Sequence, residues 1–334
     1  MTIEIGAAAC LLVGLFAGCE RSNAAVESSS PVRVDGSSTV YLVSLSQAKE
    51  YQKAGLGHVD VAESGTTGGF RKFCSGEVAV TGASRPITQD ELARCRAGSV
   101  DFIELPIGYD GISLVVHRTN TWASSLTVAE LKAIWEPGSK IATWKQVRST
   151  FPDRPLHLYG PGKDSGTFDY FTLAVNGAER ASRNDYTASE DDNVLVNGVA
   201  SDEGGLGYFG FAYFVENWDK LKLVAIGDGN AANGDGPVLP SQESIANGTY
   251  QPLARPIFIY VSVPASTRPE VERFVTFYLK HARKLVADAG YIALPAKGDE
   301  MAMTRYRARK TGTAFTGGSK LGVLVEDLYA AESK

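Results

Sequence analysis

Apolar and polar positions along the chain follow two different periods. Short apolar runs typical of β-strands alternate with segments that have helical periodicity. The strand-like runs are VRVDG (32–36), HVDVAE (58–63), VAVTGA (78–83), DFIELPI (101–107), ISLVVH (112–117), LHLYG (156–160) and PIFIYVSV (256–263). This alternation predicts an α/β fold in which most neighbouring strands are parallel.

Three predicted helices begin with a capping box, in which a threonine is followed three residues later by a glutamate. The pairs are Thr88 and Glu91, Thr127 and Glu130, and Thr267 and Glu270. The third pair opens the longest helix, whose apolar positions between residues 271 and 289 keep a three- and four-residue spacing until Gly290. These apolar residues are predicted to pack in the core and not to hold a cofactor.

The chain has two candidate domain boundaries in this pattern, at LPIGYDG (105–111) and LARPIFIY (253–260). We interpret them as two crossings of the chain between two lobes. Lobe I is then formed by residues 32–107 together with 259–330, and lobe II by the inserted residues 108–258. A length of 334 residues agrees with two domains.

The N-terminus has the character of an export signal. Residues 5–18 are uncharged and apolar but too few to span a bilayer, which predicts a signal peptide over residues 1–18. The sequence FAGC then predicts lipid attachment at Cys19, with residues 19–31 as a polar tether. No basic residue precedes the apolar segment and Phe16 stands where leucine is usual, so ordinary cleavage near residues 22–24 is the alternative. Both interpretations place the protein outside the cytoplasm.

The net charge and the cysteine content limit the functions that the chain is expected to have. The net charge of -5 argues against a nucleic-acid-binding protein, which normally presents a basic surface. Two of the four cysteines, Cys74 and Cys95, lie in the body of the chain. In an oxidising compartment they are a candidate disulfide, and two buried free thiols are the alternative. The four histidines are scattered, so we predict no metal site and no cofactor.

Three short stretches combine Ser/Thr hydroxyls with glycine where a strand is followed by a helix. They are DGSSTVY (35–41), SGTTGGF (64–70) and KDSGTF (163–168). A helix N-terminus carries unpaired N–H donors and a partial positive charge, and it therefore attracts anions. Each stretch alone could be an ordinary N-cap. Three of them in one chain favour a shared site for one small anion between two lobes.

A single arginine stands close to this predicted site. Arg85 follows a strand in GASRPI (82–87), and its guanidinium offers a fixed fork of donors suited to oxyanions. A surface salt bridge is the alternative role. We expect Arg85 to supply the positive charge of the anion site.

The stretch GPGKDSGTFDYF (160–171) does not match the standard enzyme motifs. A P-loop needs G-x-x-x-x-G-K-[ST], whereas Lys163 precedes Asp164 and Ser165. No G-x-S-x-G nucleophile elbow occurs in the chain. A phosphoserine nucleophile would need metals, and no carboxylate pair suggests an acid and a base. We therefore predict no catalytic residue.

Seven motifs occur in an order that resembles a known family: GSSTVY, SGTTGGF, GASRPI, YDGISLVVH, YGPGKDSGTFDYFT, GLGYFGFAYF and RPIFIYV. Between about Val32 and Ala296 the chain resembles the phosphate-binding protein, periplasmic or lipid-anchored, of the high-affinity phosphate ABC importer. The resemblance implies a two-lobed periplasmic binding protein of type II, with a two-strand hinge and a ligand cleft between the lobes. It also implies closure on inorganic phosphate and delivery to the membrane permease. We expect a monomer in the periplasm or on the outer face of the cell membrane.

The resemblance also implies which groups bind phosphate. The donors are Ser38, Thr39 and the backbone N–H of Val40 in the first stretch, Thr66 in the second, and Ser165, Gly166 and Thr167 in the third. The best-known members have an acidic residue at Arg85, which accepts the proton of hydrogen phosphate, and an arginine at Pro161. We therefore expect Arg85 to replace that arginine, and Asp110 or Asp164 to accept the proton. Without such an acceptor, another oxyanion such as sulfate or a phosphonate is the alternative ligand, and a secreted phosphatase is the alternative from a different class.

Overall fold

The computed structural model describes residue 2, residues 30–316 and residues 318–332. The predicted signal peptide, apart from residue 2, and the predicted lipid attachment at Cys19 lie outside the described residues. Of the predicted tether only residues 30 and 31 are described. Within the described ranges, every helix is too short or too polar to cross a bilayer.

The strands and helices alternate for most of the chain, as the sequence pattern predicts. The strands are β1 (Val32–Gly36), β2 (Val59–Val61), β3 (Val80–Ala83), β4 (Phe102–His117), β5 (Ser125–Thr127), β6 (His157–Pro161), β7 (Thr187–Ser189), β8 (Gly205–Gly210), β9 (Leu221–Leu223), β10 (Ala225–Gly227), β11 (Ala254–Ser262) and β12 (Ile292–Ala293). The helices are α1 (Ser38–Lys53), α2 (Gly65–Cys74), α3 (Gln89–Ala97), α4 (Val128–Trp135), α5 (Trp144–Val147), α6 (Gly166–Asn176), α7 (Asp192–Ala200), α8 (Phe211–Glu216), α9 (Gln242–Ala246), α10 (Val263–Ser266), α11 (Pro269–Asp288), α12 (Ala296–Arg307) and α13 (Val325–Glu332).

One long strand connects the two halves of the main sheet. The strand order is β2-β1-β3-β11-β4-β8-β6-β7. From Phe102 to Gly111, β4 pairs with β11, and from Ile112 onwards it pairs with β8 and β9. The sequence predicted two separate strands here, and the structure corrects this to one strand that is buried except at its last residue. We call the part with β1, β2, β3 and β11 the first half, and the part with β6, β7 and β8 the second half.

The prediction of mostly parallel pairing is wrong. The outer strands are parallel, since β1 pairs with β2 and β3, and β6 pairs with β7 and β8. The central strands are antiparallel, since β11 runs against both β3 and β4, and β4 runs against β8. The chain crosses from the first half to the second along β4 and returns along β11 in the opposite direction. These two neighbouring strands are therefore antiparallel.

Aromatic packing holds the key helices against each half. In the first half α1 packs against α11, where Tyr51 contacts Phe274 edge-on at 5.3 Å between ring centroids. In the second half Phe171 of α6 stacks on Tyr208 of β8 at 3.8 Å, and Trp135 of α4 meets Tyr208 edge-on at 4.9 Å. These buried contacts fix α1 and α6, whose N-terminal ends lie at the candidate site.

Two of the three predicted capping boxes are confirmed. The hydroxyls of Thr88 and Thr127 accept from the N–H of Glu91 and Glu130, and each glutamate accepts in return from the threonine N–H. The third box is wrong. The N-cap of α11 is Arg268, without a side-chain cap, and Pro269 occupies the first turn, where its missing N–H costs nothing.

The predicted disulfide is confirmed. Cys74 at the end of α2 is bonded to Cys95 on α3, across a sequence separation of 21 residues. Both side chains are buried, and the bond ties two helices that flank β3. It therefore stiffens the region of the first half that carries Arg85.

Candidate functional site

Three helix starts converge between the two halves of the sheet. α1, α2 and α6 each begin a few residues after a strand, namely β1, β2 and β6. A Cβ atom on Gly166 would lie 2.4 Å from Oγ1 of Thr66 and 2.7 Å from Oγ of Ser84. Such distances are too short for any side chain, so glycine is required where α6 approaches α2. The structure thus brings the second and third predicted stretches into direct contact.

The capping alternative does not apply to two of these helix starts. Ser37 precedes α1 and Ser64 precedes α2, but neither side chain caps its helix, and neither first turn contains an acidic residue. Ser64 donates to Asp35 instead, at 2.6 Å. Since the first N–H groups of a helix have no intrahelical acceptor, both helices present donors. In α6, by contrast, Ser165 accepts from the N–H of Thr167 at 3.1 Å and is an N-cap.

The cation that joins the starts of α1 and α6 is Arg255, on β11. Its Nη2 donates to Oγ1 of Thr39 on α1 at 3.1 Å and to Oγ1 of Thr167 on α6 at 2.8 Å. The side chain is fully buried. Its Nη1 is also buried and has no hydrogen-bond partner among the residues that the structure describes. An unpaired guanidinium nitrogen in such a place is costly unless an anion accepts from it.

Asp110 balances the charge of Arg255. The two residues lie opposite each other on the adjacent strands β4 and β11, where Nη2 is 2.8 Å and Nε 3.2 Å from Oδ2 of Asp110. The other oxygen of Asp110 accepts from the N–H of Phe211 at 3.1 Å. Burial raises the pKa of Asp110, and Arg255 opposes that rise. The pair sits where the chain crosses between the two halves of the sheet.

A second buried carboxyl group, Asp192, has a different environment. Located in the first turn of α7, it accepts from the hydroxyl of Ser38 at 3.2 Å and therefore links α7 to α1. Burial is the main reason that the pKa of Asp192 rises to about 8, and the charges of Asp110 and Glu63 add to the rise. The Ser38 bond and the charge of Arg255 act in the opposite direction. Asp192 therefore holds its proton at neutral pH.

Arg85, which the sequence predicts to be the cation of the anion site, is hydrogen-bonded to other groups of the protein. All five of its N–H groups are used within the protein: Nε by Asp169, Nη1 by Pro86 and Glu91, and Nη2 by Thr67 and Glu91. The side chain is 1% exposed. The donors of Arg85 are therefore engaged by protein groups, whereas Arg255 keeps Nη1 without a partner among the described residues.

The two predicted proton acceptors are both engaged. Asp164 lies at the edge of the cleft, where its carboxylate accepts from both Nη atoms of Arg71. Hydrogen bonding to Arg71 is the main reason that the pKa of Asp164 is lowered. Its carbonyl oxygen also accepts from the N–H of Thr67 at 2.9 Å, which joins α2 to the segment before α6. Asp110, as described above, is occupied by Arg255 and Phe211.

The structure therefore places seven predicted residues at the starts of α1, α2 and α6: Ser38, Thr39, Val40, Thr66, Ser165, Gly166 and Thr167. Sequence reasoning missed Ser84, Asp192 and Arg255. Arg255 could have been noticed, since a charged residue in the otherwise apolar run RPIFIYV is rarely buried without a partner. Asp192 carried no comparable signal.

Comparison with known proteins agrees with this arrangement. Residues 21–281 match the PBP superfamily domain. The chain is 47% identical to protein SphX of Synechococcus elongatus, over 90% of this chain and 88% of the relative. It is 33% identical to the phosphate-binding protein PstS of Staphylococcus aureus, over 89% of this chain and 88% of that protein.

A solved structure shows the same fold. The crystal structure of a possible phosphate binding protein from Planctomyces limnophilus is 45% identical and superimposes with a TM-score of 0.62, covering 84% of this chain and 99% of that one. The predicted two-lobed fold of type II and the resemblance read from the sequence motifs are both confirmed. The chain belongs to the PBP superfamily, in the family of extracytoplasmic substrate-binding proteins that includes SphX and the phosphate-binding protein PstS.

Proposed function

We propose that this protein captures inorganic phosphate in the cleft between its two lobes and delivers it to the permease of an ABC importer. The observation that carries the proposal is the buried Nη1 of Arg255, which has no partner among the described residues, on a guanidinium that bonds to the starts of α1 and α6. The similarity to the phosphate-binding protein PstS and to the solved structure of a possible phosphate binding protein supports it.

The donor set suits a small oxyanion. A buried anion is costly unless its oxygens are all hydrogen-bonded. The first-turn N–H groups of α1 and α2 supply hydrogen-bond donors that carry no net charge. The partial positive charge of those helix ends also favours an anion. The hydroxyls of Thr39, Thr66, Ser84 and Thr167 extend the set. Since Asp110 already neutralises Arg255, dipoles and hydrogen bonds would carry most of the recognition.

The proposed lobes follow from the chain path. We keep the predicted division, with residues 32–107 and 259–330 in lobe I and residues 108–258 in lobe II. The adjacent strands β4 and β11 then serve as the hinge, and Arg255 and Asp110 lie on them. The proposed phosphate donors come from both sides: α1, α2 and Ser84 from lobe I, and α6 from lobe II.

We propose binding without catalysis. A phosphatase would need a nucleophile with an adjacent base. The hydroxyl of Ser165 instead caps α6. The four histidines His58, His117, His157 and His281 make local surface contacts with Asp60, Thr119, Asp202 and the carbonyl of Phe277.

The decisive experiment is calorimetry with phosphate and with sulfate on the mature protein. We expect phosphate to bind with a dissociation constant in the micromolar range or below and sulfate to bind more weakly. Equal affinity for both anions would overturn the assignment to phosphate, and no binding of either would overturn the anion site. Turnover of a chromogenic phosphomonoester that is lost in Ser165→Ala would overturn the binding-only role.

We further propose that the protein acts as a monomer anchored by a lipid on Cys19 at the outer face of the membrane. The support is the apolar leader followed by FAGC. Incorporation of labelled palmitate should occur in the wild type and disappear in Cys19→Ala. Labelling that persists in the variant would contradict the anchor.

A further inference from the structure

We propose that Arg85 is a positioning residue that clamps the closed cleft through its ion pair with Asp169. Arg85 follows β3 in the first half, and Asp169 lies on α6 in the second half. Nε of Arg85 is 2.8 Å from Oδ2 of Asp169, and both side chains are 1% exposed. The inference rests on the proposed capture of an anion by closure.

The clamp is placed to control the ligand-binding groups. Asp169 is two residues beyond Thr167, which bonds to Arg255. Nη2 of Arg85 also donates to Oγ1 of Thr67 at 3.0 Å, next to Thr66. The Arg85 side chain therefore joins the first turn of α2 to the first turn of α6, immediately behind the residues whose hydroxyls line the cleft.

The charges allow this ion pair to break and form again. Within the first half Arg85 is paired with Glu91 through two hydrogen bonds of 2.8 Å. Within the second half Asp169 is paired with Arg180, whose Nη1 is 3.2 Å from Oδ1. Removing one partner from a buried pair is normally very destabilising, because the other charge is left uncompensated. Here opening of the cleft leaves each half with its own neutral pair.

A second ion pair lies across the same gap but at the surface. Arg71 on α2 binds Asp164, and their side chains are 47% and 34% exposed. Exposed pairs of this kind are weak and are screened by salt. The Arg85–Asp169 pair is shielded from water, so its hydrogen bond contributes more to the closed form. We therefore assign the clamp to Arg85 and not to Arg71.

The test uses Asp169→Asn, because this change leaves the Arg85–Glu91 pair intact and keeps the size of the side chain. We expect phosphate affinity to fall about tenfold through faster dissociation, the loss typical of one charge-assisted hydrogen bond. The thermal midpoint of the phosphate-free protein should stay close to the wild-type value. Asp169→Glu, which keeps the charge, should recover part of the affinity.

The matched control is Asp185→Asn, which removes the ion pair between the exposed Asp185 and Arg183 and should leave affinity unchanged. Dissociation is measured by stopped-flow fluorescence and affinity by calorimetry. If Asp169→Asn binds phosphate like the wild type, the clamp is wrong while the proposed function stands. An equal loss of stability with and without phosphate would show a purely structural role and would also overturn it. If the wild type itself binds no phosphate, the proposed function fails and the clamp fails with it.

Discussion

Two arginines in this protein have nearly the same local sequence but differ in how their guanidinium groups are hydrogen-bonded. Arg85 and Arg255 each precede a proline and an isoleucine, and both side chains are buried beside a carboxylate. Every N–H group of Arg85 is used within the protein, whereas Nη1 of Arg255 has no partner in the described part of the chain. The number of unused donors, and not the sequence context, distinguishes a structural arginine from one that can bind a ligand.

The backbone explains why the two positions differ. Arg85 follows the end of β3, where α2, α3 and α6 surround it and provide three acceptors of its hydrogen bonds. Arg255 lies within β11, opposite Asp110 on β4. At this crossing β4 supplies the carboxylate of Asp110, and α1 and α6 supply the hydroxyls of Thr39 and Thr167. Nη1 is left without a partner among the described residues.

The largest effect that would test this comparison is expected for Arg255→Lys. Lysine keeps the charge beside Asp110 but loses the fork of donors, so phosphate affinity should fall about 100-fold or more, as for other buried, hydrogen-bonded charge pairs. Calorimetry measures the affinity, and circular dichroism checks the fold. Arg148→Lys, at the Glu130 pair on α4, is the matched control and should not change binding. Wild-type affinity in Arg255→Lys would remove Arg255 from the site. The loss of phosphate affinity in the Asp169→Asn variant described above should be smaller than the loss in Arg255→Lys.

A smaller effect, on the pH dependence of stability, is expected for Asp192. Asp110 is paired with the cation of Arg255, whereas Asp192 accepts a hydrogen bond from the hydroxyl of Ser38. The pKa of Asp192 is raised to about 8 mainly by burial, so the folded protein keeps a proton that the unfolded chain releases near pH 4. Its contribution to stability is therefore present below pH 4 and is lost as the pH rises towards 8, by at most about 1.4 kcal/mol per pH unit.

Asp192→Asn should remove this dependence while keeping an acceptor for Ser38. Urea unfolding of both proteins at pH 5, 6.5 and 8 measures the difference. We expect the wild type to lose stability relative to the variant as the pH rises. A difference between the two proteins that stays constant with pH would show that Asp192 is ionised throughout. The groups that bear on this titration are Ser38, Arg255, Asp110 and Glu63.

Local patterns were sufficient for much of the fold. The capping boxes at Thr88 and Thr127 and the strand-to-helix turns before α1, α2 and α6 depend on neighbouring residues, and they occur where the sequence predicts them. Apart from the local error at Thr267, where Pro269 begins the helix instead, the errors lie where distant segments meet. β4 continues through Gly108 and Gly111 because β11 and β8 pair with it on either side of that point, and no local signal contains those partners.

For the site, the sequence by itself determined the type of chemistry: three helix starts with hydroxyls and glycine, suited to a small anion. It also determined the family, because the motifs and their order are specific. Only the tertiary structure decided which arginine keeps a donor without a partner among the described residues, because that depends on acceptors that residues far along the chain bring to each guanidinium. The same holds for Asp192, whose raised pKa results from burial and from charges that come together only when the chain is folded.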